Sequence, residues 1–516
     1  MKLAPTSLSG QRVASLLKGL RARGVRIWEE DGRLRYTARK GVITAGDVDA
    51  LKLSRREIIA ALRHSVRTGE DLVEVDVWQA PLTYTQFARW NTFDLAHRRS
   101  LRQVVSAIHL RGHLNCCALR DAIAAIGAHH DALRTRITIH NGMPEQQVCA
   151  ANTLVLKERD IKRYGDDEQA DLCEEIERCV LETVSVLDDP LACVQLLKVA
   201  DGEHILVVAM EHLIADAVSM NILLRDLFTA YRQFDKNERV SLPVIDLQFW
   251  AYATTQRASE QQWLQSHQGY WAEHFRGLTS VHFSRRHCQE RSVRGWGTVS
   301  VHLDVALVVA FRSLCALHRT TLSLGIFSLF SALALRWCGL HIGVLQFQSD
   351  GRFSTQVNNT IGFFATALYL QVRLHDSDSV GDLLDRVTRE YCAAYEHADS
   401  SYFEARQPRP SFTDAVCFNW LPRDTGFESR SISSSGGELQ CQAIPVLERW
   451  LGGLRVDGEP TLLLHETADG VFGGIHFPLH QFESDAIQKF GATFERWVCS
   501  CARAPDQRIS QMELAV

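Results

Sequence analysis

The sequence predicts an α/β protein preceded by a small unit of different make-up, and three observations carry that prediction. From about residue 80 onward, long apolar-faced helical stretches alternate with short continuous apolar runs, as in strands buried on both faces. This pattern continues for roughly 430 residues, more than one core usually spans, so two lobes are expected. The break between them falls between "VSLPVID" (240–246) and a helix near 259–275. The first 60 or so residues instead pattern as helix, hairpin, helix, an αββα arrangement too small to share either core.

Composition narrows the class. Of 516 residues, 46% are hydrophobic and 23% charged, the balance of a soluble globular chain. The net charge of −5 supplies no basic face, so no nucleic-acid partner is expected. Fourteen cysteines are scattered without a CxxC pair or zinc-ligand spacing, so they are expected as reduced thiols and no metal is expected. The opening "MKLAPTSLSGQ" lacks the apolar centre of a signal peptide. The longest apolar stretch, "LSLGIFSLFSALALRW" (322–337), is shorter than a bilayer span and ends near Arg336. It is expected as a core helix, in a cytoplasmic protein with no membrane contact.

In chain order, residues 8–23 place Leu8, Val13, Leu16, Leu17 and Leu20 at helical spacing, with Gly24 as a stop. Residues 25–29 and 33–37 alternate around Asp31-Gly32, a pair suited to a tight hairpin turn. Thr44 and Asp47 resemble a capping box opening a second helix, with Val48, Leu51, Ile58, Ile59 and Leu62 on its apolar side. The hairpin carries a basic cluster of Arg26, Arg33, Arg35, Arg39 and Lys40. An exposed edge strand is a template for another chain's strand, and these charges favour an acidic one; equally, they protect the edge. "RHSVRTGEDLVEVDVWQ" then reads as a linker.

Further on, helices are expected at 83–96, 115–130, 219–234, 303–318, 322–338 and 379–397. Strands are expected at 204–210, 342–347, 366–374, 413–419 and 462–466, and surface loops at "EARQPRPS" (404–411) and "SISSSGGEL" (431–439).

Two stretches carry residues capable of chemistry. His129-His130-Asp131 pairs imidazoles with a carboxylate inside a helix. In "VVAMEHLIADAVSM" an apolar strand delivers Glu211-His212 to its end, followed by Asp216, Ser219 and a helix. A histidine at the end of a buried strand sits where α/β folds place function.

The second stretch resembles the HHxxxDG motif of condensation domains of nonribosomal peptide synthetases, in the chloramphenicol-acetyltransferase-like superfamily. Other elements follow in family order: "PLTYTQFARWNTFDL" (81–95) resembles the opening PLSxxQxRLW element, and "RGHLNCCALRDAIAAIGAHHDALRTRI" (111–137) the second core element. "YWAEHFRGL", "SDGRFS", "NNTIGFFATALYLQVRL" and the closing "APDQRISQMEL" complete a resemblance over about 80–514. The first 60 residues resemble the β-hairpin docking domains first seen in the tubulysin assembly line.

The resemblance implies two chloramphenicol-acetyltransferase-like lobes in a V-shaped pseudo-dimer. Its boundaries are 1–65 for the docking domain, 78–250 for the amino-terminal lobe and 251–516 for the carboxy-terminal lobe. It makes His129 and His130 structural or surface residues and His212 the catalytic histidine, which takes a proton from an attacking amine or hydroxyl or holds that nucleophile in line. Asp216 becomes a structural aspartate whose expected partner is Arg352 of "SDGRFS". Ala217, Ser219 and Thr366 are expected near substrate, Ser219 alternatively as a helix cap.

Three positions depart from the pattern: Glu211 replaces the motif's first, supporting histidine, Ala217 its glycine, and Thr366 the asparagine that follows "GFF". A carboxylate beside His212 raises the imidazole pKa if the two face each other. Adjacent side chains in a strand point to opposite faces, which argues against strong coupling.

The expected function is a self-standing condensation enzyme with no bound cofactor of its own, the phosphopantetheine arm being supplied by a partner carrier protein. It passes an acyl or peptidyl chain to an amine or alcohol, small or carrier-bound, and releases the chain if the acceptor is free. The upstream partner is the acidic carboxy-terminal tail of a carrier-protein subunit. One rival is a catalytically degenerate condensation-like module that recruits proteins, which Glu211 keeps open; another is an epimerase of the same superfamily.

Overall fold

The computed structural model describes residues 20, 25–30, 33–37, 42–43, 47, 51, 78–91, 103–140, 142–149, 154–161, 175–176, 178–179, 191–274, 276, 280–285, 295–398, 415–421, 429–434, 436–444 and 458–514. Two units separate: residues 1–79 with 147–150, and residues 80–146 with 151–516.

In the first unit, strands Arg26–Glu30 and Arg33–Thr37 pair antiparallel, with Glu30 opposite Arg33 and Arg26 opposite Thr37. Alternate positions share a face of such a ribbon, so positions 26, 33 and 35 fall on one side. The Val25 N–H donates to the Leu20 carbonyl at 3.1 Å, and Leu20, Val25 and Leu51 are buried. Leu20 is helical, as are Asp47 and Leu51; the remainder of both expected helices lies outside the described residues. So do Arg39 and Lys40, and the side chains of Arg26, Arg33 and Arg35.

The second unit holds two six-stranded sheets, which fit the two lobes of the expected pseudo-dimer. The first runs in the order Ser429–Ser434, Gly437–Ile444, Gln103–Gly112, Glu203–Glu211, Ala192–Ala200, Leu156–Asp160. Every residue from 205 to 210 is buried, which is why that strand reads as an unbroken apolar run. Helices Cys116–His129 and Ala217–Asp235 cover the sheet with Leu119, Ile123, Ile126, Leu223, Leu224 and Leu227.

The second sheet runs Trp296–Asp304, Gly470–Pro478, Thr461–Thr467, Cys417–Leu421, Ile342–Ser349, Thr366–Arg373. Helices Val305–Leu317, Leu322–Trp337, Val380–Glu396 and Ser484–Arg503 pack with it into one core. Leu322–Trp337 is buried from Leu324 to Leu335, a helix apolar all round because it is central. Among the described residues no single helix is long and apolar enough to cross a membrane; Val305–Leu317 and Leu322–Trp337 pass by length and composition together, bent by 93°.

Three expectations need correction. "SISSSGGEL" is no surface loop: Ser429–Ser434 and Gly437–Ile444 form a hairpin, and its second strand pairs with Gln103–Gly112. Ile432, Leu439 and Cys441 supply the period-two apolar face, and Leu439 and Cys441 are buried in the first lobe's core. The first sheet therefore takes strands from beyond residue 250, and a linear division at 250/251 does not follow the sheets. The helix expected at 83–96 ends at Trp90, capped by the Asn91 N–H on the carbonyls of Phe87 and Arg89. The 404–411 stretch lies outside the described residues.

Candidate active site

The strand Glu203–Glu211 ends where the Leu191 carbonyl accepts the Glu211 N–H at 2.7 Å, and the chain turns back as the Ile214 N–H reaches the Glu211 carbonyl at 2.9 Å. His212 lies in that turn. Its ring packs edge-on against Phe363 with centroids 4.6 Å apart and retains some exposure. Among the described residues its Nδ1 has no hydrogen-bond partner. Burial pushes the imidazole pKa down to about 3, helped by the Arg89 cation and opposed by Asp216. His212 is therefore neutral at pH 7 and a weak base.

Asp216 holds the turn to both lobes. It is the N-cap of Ala217–Asp235, where Oδ1 accepts the Ser219 N–H at 2.8 Å. Its Oδ2 accepts from Arg352 Nη1 at 2.9 Å, the Phe364 N–H at 3.0 Å and the Ala365 N–H at 3.3 Å. The Arg352 and Asp216 side chains are only 4% and 3% exposed, so the pair is desolvated and charge-assisted. Arg352 also donates to the Thr360 carbonyl and lies 4.5 Å from the Phe364 ring centre.

The neighbouring positions separate clearly. Ser219, expected near substrate or as a helix cap, is not the cap, a place that Asp216 takes. It is fully buried, and its Oγ lies 2.8 Å from both Asp216 Oδ1 and the Gly362 carbonyl. Its Oγ also accepts from the Gly362 N–H and from Arg352 Nη2. The hydroxyl is committed to joining the lobes. Ala217 begins the helix and is not among the residues of positive φ, so losing the motif's glycine strains no backbone. Thr366 is buried at the start of strand Thr366–Arg373, opposite Ser349.

Three participants escaped the sequence. Gln86 caps its own helix reciprocally with Thr83 and donates from Nε2 to the Leu213 carbonyl at 2.7 Å, pinning the residue after His212. Phe363 forms a wall for the imidazole, and Arg89 approaches from the helix Tyr84–Trp90. All three lie in stretches singled out above, but only tertiary contact reveals their convergence. His130 is structural: Nε2 is 2.9 Å from Asp226 Oδ2, the residue is 1% exposed, and burial lowers its pKa. His129 Nε2 meets the Pro243 carbonyl at 3.0 Å.

Comparison with known proteins adds the following. Residues 78–418 match the condensation-domain family, and residues 13–64 match the TubC N-terminal docking domain. Phosphinothricin tripeptide synthetase PhsC of Streptomyces viridochromogenes is 28% identical over 62% of this chain and 30% of its own length. Malpinin synthetase of Mortierella alpina is 24% identical over 84% of this chain and 6% of its own. The chain thus spans under a third of either relative. Among solved structures, the X-domain in complex with OxyB from teicoplanin biosynthesis superposes with a TM-score of 0.67 at 19% identity, over 85% of this chain and 96% of that one.

Proposed function

This chain belongs to the condensation-domain family, and from that premise we propose that it transfers an acyl or peptidyl group from a carrier protein's phosphopantetheine thioester to an amine or alcohol. The nucleophile attacks the thioester carbonyl, the new C–N or C–O bond forms as the C–S bond breaks, and the nucleophile's proton ends on the departing thiolate. The carrying observation is the His212 imidazole, neutral and partly accessible, in a turn that Asp216 ties to both lobes. So weak a base suits accepting a hydrogen bond and aligning the nucleophile better than removing a full proton. A thioester is already activated, and alignment supplies much of the acceleration.

Acyl-loaded carrier protein incubated with the chain and pooled amine and alcohol acceptors tests this by intact-protein mass spectrometry. The expected result is loss of the acyl mass from the carrier and a coupled product of matching mass. A carrier that binds yet stays loaded would overturn transfer and leave a protein-recruiting role.

The basic hairpin is proposed to receive the acidic carboxy-terminal tail of an upstream carrier subunit as an added strand. The match of residues 13–64 and the shared face of positions 26, 33 and 35 support this. Reversing Arg33 and Arg35 to Glu is expected to weaken tail binding about tenfold or more and to invert its salt dependence. An unchanged affinity by calorimetry counts against that surface.

A further inference from the structure

Glu211 stands where the family motif has its first histidine, and its side chain is fully buried. A carboxylate in that position is costly unless a cation answers it. Arg89 brings a cation to it, with Nε 4.0 Å from Glu211 Oε1, an ionic contact without a hydrogen bond between these atoms, and its own side chain is 10% exposed. Laid on the element PLSxxQxRLW, with Pro81, Leu82 and Gln86 setting the register, Ala88 falls at the element's arginine and Arg89 at its leucine. The chain thus departs from two separate motifs at two residues that meet in space, one bringing an anion and the other a cation. Arg89 does not stop at Glu211. Its guanidinium carbon lies 5.7 Å from the centre of the Phe363 ring, and that ring packs edge-on against His212.

We propose that Glu211 and Arg89 act as one charge pair that positions His212 through Phe363, taking the place of the motif's first histidine. The proposal deepens the acyl-transfer function above and rests on it. Glu211 is fully buried, so it is a positioning residue. It fixes the arginine, and the arginine fixes the aromatic wall and places a positive charge beside the imidazole. Two charged groups act on the His212 ring, Arg89 on the helix Tyr84–Trp90 and Asp216 at the helix cap, and each faces an opposite charge, Glu211 at the strand end and Arg352 on the loop after Ile342–Ser349. Of these, Arg89 opposes protonation of the ring and Asp216 favours it.

Glu211→Gln, Arg89→Met and the double variant of the full chain form the test. Each single change is expected to slow carrier unloading about 10- to 100-fold, as small misplacements of a reacting group do. The double variant should be no slower than the worse single one, because the two residues act as a unit. Glu211→His, which restores the motif but leaves Arg89 beside a second imidazole, should also lose activity, and adding Arg89→Leu should recover part of it. Titration of the His212 ring by NMR with 13C-labelled histidine separates positioning from mere stability. Its midpoint is expected to rise in Arg89→Met, which a purely structural role would not cause. Additive rate losses together with an unmoved midpoint overturn the pair. Should the wild type fail to unload any carrier, the acyl-transfer function falls, while the midpoint and the coupling of the two substitutions in urea unfolding still decide for or against the pair.

Discussion

His212→Ala is expected to lower carrier unloading about 10²- to 10⁴-fold, the range a single proton-handling or aligning side chain supplies, while leaving carrier affinity unchanged. The substitution breaks no hydrogen bond of Nδ1, which has no partner among the described residues, and it removes the edge contact with Phe363. Wild type and variant run side by side on the same loaded carrier make the comparison direct. Equal rates would remove His212 from the chemistry. The pH dependence gives a second check. With a folded pKa of about 3, against an ordinary value of 6.5, His212 is neutral throughout the range in which a free histidine titrates. The acid limb of kcat/KM should therefore show no inflection near 6.5 from this residue. The same shift fixes a stability effect. Between those two values the unfolded chain binds a proton that the folded chain does not, so stability is full above 6.5 and falls as pH drops towards 3. His212→Gln should flatten that part of the urea-midpoint profile between pH 7 and pH 5, and an unaltered slope would contradict the depressed pKa.

The strand-to-turn placement of His212 is legible in the sequence because burial on both faces forces an unbroken apolar run across residues 205–210. The meeting of Asp216 and Arg352 is legible on motif grounds alone, since nothing in their spacing of over a hundred residues announces contact. The hairpin Ser429–Ile444 escapes because serine and glycine normally mark loops, and its alternating Ile432, Leu439 and Cys441 are too few to outweigh them. Arg89 and Gln86 belong to a short helix whose caps are legible but whose direction is not. Pointing at the His212 turn is a property of packing between elements, and sequence spacing carries no record of it.

Asp216→Asn should separate two jobs that one carboxylate performs. Asparagine is as good a helix N-cap as aspartate, so the bond from the Ser219 N–H survives. What the variant removes is the charge opposite Arg352 and, with the remaining oxygen kept as the cap, the Oδ2 acceptor on which three donors converge, an amide nitrogen standing in its place. An arginine left buried and uncompensated costs roughly 3–5 kcal/mol, so the urea midpoint should fall clearly. Transfer should fall with it, because the turn carrying His212 loses its hold on the second lobe. Restoring size without charge, as Arg352→Met in the same chain, should recover much of the stability but little of the rate, since burial is satisfied while alignment is not. Gly351→Ala attacks the same junction from the backbone. Gly351 has φ of +66°, and a Cβ there would sit 1.8 Å from the Phe364 carbonyl oxygen, so the loop bearing Arg352 must move away from the segment whose N–H groups Asp216 holds. Both variants should therefore loosen hydrogen exchange at 216–219 and 360–365 together. Loosening confined to one of the two segments would mean that the lobes are joined elsewhere, and that Asp216 serves its own helix alone.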